Sequence, residues 1–174
     1  MTLQTPTKTK TCNSQNPMKP DWAELMDVQA EAPGVFTYWL RFKEPVVRKK
    51  FSFEPGQFNI LSVPGYGEAA ISISSDMLDS EKIGHTIRLT GNVTNAIARL
   101  KVGDNLGVRG PFGSSWPIRN CKGKDIYIAA GGIGLPPLRP VIYHIMENRA
   151  DYGEVVVLYG ARTPEDLQFT AEYE

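Results

Sequence analysis

The feature that most constrains the fold is a glycine-rich turn that joins an apolar strand to an amphipathic helix. Residues 125–130 read Asp-Ile-Tyr-Ile-Ala-Ala, an apolar run typical of a strand in a parallel sheet that is covered on both faces. The run leads into Gly131, Gly132, Ile133 and Gly134, and a helical pattern follows. A strand, a tight turn and a helix in this order predict the start of a βαβ unit in an α/β layer.

The helix and the next strand complete that unit. Five apolar side chains recur at the spacing of a helix that begins near Pro137: Leu138, Val141, Ile142, Ile145 and Met146. Residues 155–159 form a second apolar run, and Thr-Pro-Glu-Asp at 163–166 predicts the start of another helix. A parallel layer needs more than two strands to bury both faces. We therefore expect this α/β domain to be incomplete, so that either the chain is a fragment or a partner completes the sheet.

The first two thirds of the chain have a different pattern. Short β-like runs are separated by Gly, Pro or Asp, and the predicted strands are residues 23–31, 35–42, 58–63, 70–74, 86–90 and 105–108. Six short strands at this spacing predict a small barrel or a sandwich. One short helix is predicted at residues 94–100, with Thr94 as its N-cap. The chain is thus expected to be a six-stranded β-barrel or sandwich followed by an incomplete α/β domain.

Length and composition set the remaining limits. We divide the 174 residues into a lead-in at 1–20 that we expect to be disordered, a barrel at 21–119 and an α/β domain at 120–174. No apolar run is long enough for membrane insertion, and a net charge of zero argues against a nucleic-acid partner. Two cysteines are too few for a disulfide framework, so we expect a cytoplasmic protein with reduced thiols.

Isolated residues give weaker signals. His85 and His144 have no second ligand at a metal-binding spacing, so structural roles are expected and no metal site is predicted. The basic stretch at residues 41–50 is interpreted as a solvated hairpin tip, with a partner-docking surface as the alternative.

Both domains contain a turn that is suited to binding phosphate. At Gly131, backbone amides can approach a phosphate with no side chain in the way, and the helix N-terminus adds partial positive charge. The spacing differs from G-x-G-x-x-G, so a plain strand-to-helix turn stays an alternative. Residues 91–94 repeat the pattern in the barrel. Arg162, after the second apolar strand, is either a ligand contact or a solvated arginine. Two such turns suggest two phosphate-bearing cofactors.

Together these motifs resemble the ferredoxin–NADP reductase superfamily, in which a six-stranded antiparallel, flavin-binding β-barrel precedes a nicotinamide-binding α/β domain. The resemblance runs from about Pro20 to the end of the chain. It rests on six ordered motifs, at residues 56–58, 69–72, 91–94, 110–113, 131–137 and 160–162. Three segments are most similar to one branch of the superfamily: Val-Pro-Gly, Glu-Ala-Ala-Ile-Ser-Ile-Ser and Leu-Gly-Val-Arg-Gly-Pro-Phe-Gly-Ser-Ser-Trp-Pro. That branch contains the gamma subunits of cytoplasmic nickel–iron hydrogenases or sulfhydrogenases and the B subunit of anaerobic sulfite reductase.

The resemblance implies FAD on the barrel and NAD(P)H on the α/β domain, with a hydride passed between their rings. Ser72 would be the catalytic residue, near the flavin nitrogen that exchanges the hydride, and Ile71 and Ser74 would lie against the flavin. The FAD pyrophosphate would be held by Gly91, Asn92, Val93 and Thr94. The nicotinamide nucleotide would be held by Arg162 and by Gly131, Gly132, Ile133, Gly134 and Leu135.

The sequence departs from the family pattern in two places. The usual Arg-x-Tyr/Phe-Ser motif has Ala69 in place of its arginine and Ile71 in place of its aromatic residue. Loss of a charge-assisted phosphate contact, worth roughly 1.5–3 kcal/mol, is expected to weaken FAD binding. Relatives in this branch also continue into a cysteine cluster that binds [2Fe–2S], which is expected here only if a further C-terminal region exists.

The sequence thus predicts a flavoprotein electron-transfer subunit. It would move a hydride between NAD(P)H and FAD and pass electrons to the iron–sulfur and catalytic subunits of a hydrogenase-type complex. The alternatives are the B subunit of an anaerobic sulfite reductase and a non-catalytic FAD-binding or docking module. The choice between NADH and NADPH stays open, although Arg162 slightly favours a 2′-phosphate.

Overall fold

A computed structural model describes residues 18–173. Cys12 and most of the predicted lead-in lie outside the described residues. The strands of the described part are β1 (Asp21–Ala32), β2 (Val35–Phe42), β3 (Phe58–Val63), β4 (Gly67–Ser72), β5 (Ile83–Arg88), β6 (Asn105–Phe112), β7 (Ile126–Gly131) and β8 (Val155–Gly160). Its α-helices are α1 (Pro45–Lys50), α2 (Asn92–Ile97), α3 (Arg139–Glu147) and α4 (Thr170–Tyr173).

The first six strands form one antiparallel sheet in the order β4-β3-β6-β1-β2-β5. Alternate side chains point inward and build an apolar core, with Leu25, Leu40, Leu61 and Leu106 almost fully buried. The two outer strands, β4 and β5, are not paired with each other along their length. The Ser74 amide closes the gap by donating to the Gly84 carbonyl at 2.9 Å. The predicted six-stranded antiparallel barrel is confirmed.

Three local predictions in this half are corrected. The fifth strand is β5, not residues 86–90. Its inward-facing residues include Ile83 and Ile87, but the sequence does not show their alternation clearly because the residues between them include Gly84 and the polar His85. Helix α2 starts two residues earlier than predicted, and its N-cap is Gly91 instead of Thr94. The basic stretch expected to be a hairpin tip folds as α1, with Pro45 in the first turn.

The smaller layer consists of parallel strands β7 and β8 with α3 packed on one face. Ile128 from β7 contacts a cluster formed by Leu135, Ile142 and Ile145. The helix begins at Arg139 instead of near Pro137, because short 3₁₀ turns occupy the residues between the glycine turn and α3. Residues 164–166 also form a 3₁₀ turn, so the predicted helix start at 163–166 is wrong.

The α/β layer packs against the barrel through a buried arginine. The Arg139 guanidinium donates through Nη1 to the Ser74 carbonyl at 3.0 Å and pairs through Nη2 with Glu172 Oε2 at 2.5 Å. It also lies 3.7 Å from the centroid of the Phe169 ring. One side chain thereby joins the barrel, α3 and the segment that carries α4.

Residues 18–173 contain no helix that is both long and apolar enough to cross a bilayer. Within the same residues, no three His, Cys, Asp or Glu side chains are grouped as a metal site would require.

Candidate functional site

The two glycine-containing turns of the α/β layer lie side by side. Gly131 and Gly160 are register partners at the carboxyl ends of β7 and β8. A cavity of about 350 Å³ opens at this edge, and Gly131, Gly132, Ile133 and Arg162 line it. The structure therefore brings most of the predicted nicotinamide site together at the edge where open α/β sheets bind ligands.

Two residues predicted for the same site have other positions. The Leu135 side chain is fully buried in the core beneath the turn, where it packs with α3. Gly134 ends the 3₁₀ turn and does not line the cavity. Both residues help to shape the turn, but neither presents a side chain to a ligand.

Hydrogen bonds from the second strand fix the shape of the glycine turn. The Tyr159 hydroxyl donates to the Gly132 carbonyl at 3.2 Å and accepts from the Gln168 amide at the same distance. Gly132 has a φ of +48°, a left-handed conformation that favours glycine. The turn is therefore held in place in a form that keeps its outer surface free of side chains.

Arg88 is a site residue that the sequence did not reveal. It comes from the outer face of β5 in the barrel and lines the same cavity as Arg162. A methyl group built on Gly132 would lie 3.4 Å from Arg88 Nη2. Among residues 18–173, Arg88 has no ion pair and no side-chain hydrogen bond, although its side chain is partly buried. A half-buried guanidinium with no ion pair favours an anion in this cavity, although the Asp166 carboxylate also lines it.

The predicted FAD pyrophosphate site lies at the start of α2. Thr94 Oγ1 accepts from the amides of Thr90 and Gly91 at 3.1 and 2.9 Å, and its hydroxyl donates to the Gly91 carbonyl at 3.0 Å. Thr94 therefore shapes the turn instead of presenting a free hydroxyl. The first bond within the helix is from the Asn95 amide to the Gly91 carbonyl, so the amides of Asn92 and Val93 have no partner within the helix.

The hairpin between β3 and β4 packs beside that helix start. Asn92 Nδ2 donates to the Tyr66 carbonyl at 3.1 Å, and a methyl group on Gly67 would lie 3.6 Å from Val93 Cγ2. The free amides and β4 consequently form one continuous surface that ends at Ser72. The amides of Asn92 and Val93 are available to an anion at one end of this surface.

The three residues predicted to touch the flavin ring differ in exposure. Ser72 is the last residue of β4 and is partly exposed, while Ile71 packs partly against the barrel core. Ser74 is fully buried, and its hydroxyl contacts Thr86 Oγ1 at 2.8 Å and the Gly84 carbonyl at 3.2 Å. Of the two serines, Ser72 is thus the one that is partly exposed.

A second polar cluster lies on the opposite side of the domain junction. Thr37 Oγ1 contacts Thr86 Oγ1 at 2.8 Å and donates to Glu31 Oε1 at 2.7 Å. Burial raises the pKa of the Glu31 carboxyl, and the bond from Thr37 and the charge of Arg139 offset part of that rise. These two hydrogen bonds join β1, β2 and β5 within the barrel.

Comparison with known proteins agrees with this architecture. A family profile described as "Oxidoreductase NAD-binding domain" matches residues 128–174. A cytochrome P450 reductase from Amycolatopsis superposes with a TM-score of 0.75 at 24% identity, over 89% of this chain and 47% of that one. A Plasmodium falciparum ferredoxin–NADP⁺ reductase superposes with a TM-score of 0.76 at 17% identity, over 94% and 72%.

Sequence relatives carry the comparison further. Sulfhydrogenase 1 subunit gamma of Pyrococcus furiosus is 40% identical over 137 residues, which is 79% of this chain and 47% of that protein. A Methanocaldococcus jannaschii protein, named "Probable dihydroorotate dehydrogenase B (NAD(+)), electron transfer subunit", is 34% identical over 90% of this chain and 53% of its own length. The chain spans about half the length of the curated relatives it matches.

These matches and the fold place the chain in the ferredoxin–NADP reductase superfamily, as its motifs suggested. Within that superfamily it is similar to the gamma subunits of sulfhydrogenases, and the predicted likeness is confirmed. The similarity to dihydroorotate dehydrogenase electron transfer subunits was not expected from the motifs.

Proposed function

We propose that this chain binds FAD on its barrel and NAD(P)H at the glycine turns, and that it transfers a hydride between them. The observation that carries the proposal is the cavity shared by both domains. Arg88 of the barrel and Arg162 of the α/β layer line it together with Gly131 and Gly132. Two arginines and a side-chain-free turn suit a dinucleotide phosphate, and a site built from both domains suits a reaction between two cofactors.

Each group of residues has a separate task in this mechanism. Bound FAD would accept a hydride from NAD(P)H and release its electrons one at a time to an iron–sulfur partner. The amides of Asn92 and Val93 would hold the FAD phosphates, and Ser72 would donate a hydrogen bond at the reacting end of the flavin. Arg88 and Arg162 would hold the phosphates of the nicotinamide nucleotide and so restrict its orientation, which hydride transfer requires.

The flavin part of the proposal is tested by FAD occupancy. The purified chain should become yellow with FAD, and Gly91→Val should lower occupancy because its side chain would stand beside the free amides. Thr94→Val should also lower it, because the hydroxyl that shapes the turn is lost. Thr90→Val is the matched control, since the exposed Thr90 enters this turn through its amide. Equal occupancy in all variants would refute this site.

The redox part is tested by anaerobic titration of the flavin-loaded chain with NADH and with NADPH. We expect the flavin colour to bleach, and the stronger of the two reductants identifies the preferred nucleotide. A chain that binds FAD but is bleached by neither would be a non-catalytic FAD-binding module instead.

The partner is proposed from the relatives. We propose a soluble cytoplasmic complex in which this chain delivers electrons to iron–sulfur and catalytic subunits of the hydrogenase type, because the relative with 40% identity is a sulfhydrogenase gamma subunit. The B subunit of an anaerobic sulfite reductase and an electron transfer subunit of a dihydroorotate dehydrogenase are the competing assignments. Purification of the tagged chain from its native host, followed by assays for the three activities, separates them.

A further inference from the structure

Two uncharged polar side chains lie in the apolar core of the barrel. Asn59 from β3 and His85 from β5 are both fully buried, and His85 stands between the core residues Ile83 and Ile87. Burying polar groups among aliphatic side chains costs free energy unless hydrogen bonds replace those made with water. Packing alone therefore does not explain why Asn59 and His85 are buried in this core.

The contacts of His85 define its hydrogen-bonding state. Nδ1 lies 3.0 Å from the Ser72 carbonyl oxygen, and Nε2 lies 3.2 Å from Asn59 Nδ2. A carbonyl only accepts, so Nδ1 must carry the hydrogen and donate it to Ser72. Nε2 then accepts from the Asn59 amide group. Burial also lowers the pKa of His85 to about 4, which keeps the ring neutral and this arrangement constant near neutral pH.

The carbonyl that receives this bond belongs to an unusual point of the barrel. Ser72 ends β4, where the sheet is open towards β5. The Ser74 amide makes a single backbone bond across the gap, to Gly84, and the imidazole of His85 makes the next link on the Ser72 side. The peptide that follows Ser72 is therefore held on both sides: the Ile73 amide donates to the Gln57 carbonyl at 3.1 Å, and His85 donates to the Ser72 carbonyl from inside the barrel.

We propose that His85, held in one tautomer by Asn59, is the positioning residue that orients Ser72 towards the flavin. This inference rests on the proposed flavin site. Because His85 fixes the Ser72 carbonyl, it limits rotation of the backbone at the residue whose hydroxyl faces the reacting end of the cofactor. His85 does not touch the flavin, so its effect is on the geometry of hydride transfer and not on FAD affinity.

The first test observes the imidazole directly. The chain contains two histidines, so long-range ¹H–¹⁵N spectra of the full chain show two rings, and His144 on α3 serves as the internal reference. We expect His85 to be neutral with its hydrogen on Nδ1 before FAD is added, and we expect its resonances to shift when FAD binds while those of His144 stay in place. FAD binding that leaves His85 unchanged would overturn the inference.

The second test separates positioning from folding. His85→Leu removes the donor, whereas His85→Asn keeps an amide donor where Nδ1 lies. With FAD and NAD(P)H saturating, we expect His85→Leu to slow flavin reduction at least about tenfold, since small misplacements of reacting groups are costly. The Kd values for FAD and NAD(P)H should stay unchanged, and His85→Asn should recover most of the rate. His144→Leu is the matched control and should reduce flavin at the wild-type rate.

The outcomes distinguish this inference from the function on which it rests. A wild-type chain that binds no FAD, or whose flavin NAD(P)H does not reduce, contradicts the proposed function and this role of His85 with it. A functional wild-type chain whose His85→Leu variant reduces flavin at the same rate contradicts the positioning role alone.

Discussion

Two arginines at the domain junction show how burial and pairing decide what a guanidinium does. Arg139 is buried, and its contacts with Ser74, Glu172 and Phe169 are all within the protein. Arg88 is partly buried beside the cavity at the glycine turns and has no such partner among residues 18–173. We infer that Arg139 serves the structure, whereas Arg88 serves a ligand.

Replacement of Arg88 should therefore affect nucleotide binding. Charge-assisted hydrogen bonds to phosphate contribute about 1.5–3 kcal/mol, so we expect Arg88→Gln to weaken NAD(P)H binding at least about tenfold while FAD occupancy is unchanged. Isothermal titration of the flavin-loaded chain measures this. Arg48→Gln removes the same charge from an ion pair with Glu81 remote from the cavity and is the control. Equal affinities for both variants would show that Arg88 does not contact the nucleotide.

His85 should make stability depend on pH in a defined window. Burial lowers its pKa from 6.5 to about 4 in the folded state, so between these values the unfolded chain binds more protons. The free energy of unfolding should fall as the pH drops from about 6.5 to about 4, by about 3 kcal/mol from this group. Urea unfolding of the wild type and of His85→Leu at several pH values isolates the effect, since the variant lacks it. Parallel pH profiles would contradict the buried neutral ring.

Residue positions were predictable where the local sequence defines the geometry. The turn at Gly131 and the position of Arg162 after β8 follow from the strand–turn–strand order, and both line the cavity. Arg88 was not predictable, because the alternation of β5 shows only that it points outward. Only the tertiary structure shows that the α/β layer covers that face.

At the scale of elements, two adjacent glycines in one turn have different physical roles. Gly132 has a φ of +48°, whereas Gly131 has an ordinary extended φ of −129° and open space around the position of a Cβ atom. The backbone conformation therefore requires glycine at position 132, and access to the cavity favours it at position 131.

Alanine substitutions separate these roles. Gly132→Ala should lower the free energy of unfolding by about 1 kcal/mol, the cost of a left-handed conformation for a residue with a Cβ atom. Gly131→Ala should change it by less than about 0.5 kcal/mol but should weaken NAD(P)H binding, because its methyl group faces the cavity. Urea unfolding and nucleotide titration measure the two effects. Equal stability losses in both variants would contradict the assigned backbone geometry.

Elements with a clear periodicity of apolar residues were predicted well, and the short elements were not. The barrel strands with clear alternation, such as β2 and β3, have the bounds that the pattern predicts. α3 was recognised from its apolar face, although the 3₁₀ turns at Pro136 displaced its start. α1 was missed because six residues are too few to show a helical period.

At the scale of the whole molecule, the barrel and the α/β layer are joined through Arg139. Its replacement by Met removes charge-assisted bonds to Ser74 and Glu172, so we expect the free energy of unfolding to fall by about 2–3 kcal/mol. Arg119→Met is the control, since Arg119 pairs with Glu54 at the surface and such pairs contribute less than about 1 kcal/mol. Calorimetric unfolding compares the two, and similar losses would show that the junction is not held in this way.

The complementarity of the two parts is what makes the molecule a candidate redox unit. The barrel contributes β4 and the free amides of α2, and the α/β layer contributes the glycine turns. Arg88 belongs to the barrel and lines the cavity at the glycine turns of the α/β layer. The central claim is that this arrangement brings a nicotinamide ring and a flavin ring together for direct hydride transfer.

The most direct test is the isotope effect on flavin reduction. The FAD-loaded chain is mixed anaerobically with NAD(P)H that carries deuterium on one face of nicotinamide C4, and the loss of flavin absorbance is followed in a single turnover. We predict slower reduction with deuterium on one face and unchanged reduction with deuterium on the other, because the protein holds the nicotinamide in one orientation. Failure of both NADH and NADPH to reduce the bound flavin would contradict the account.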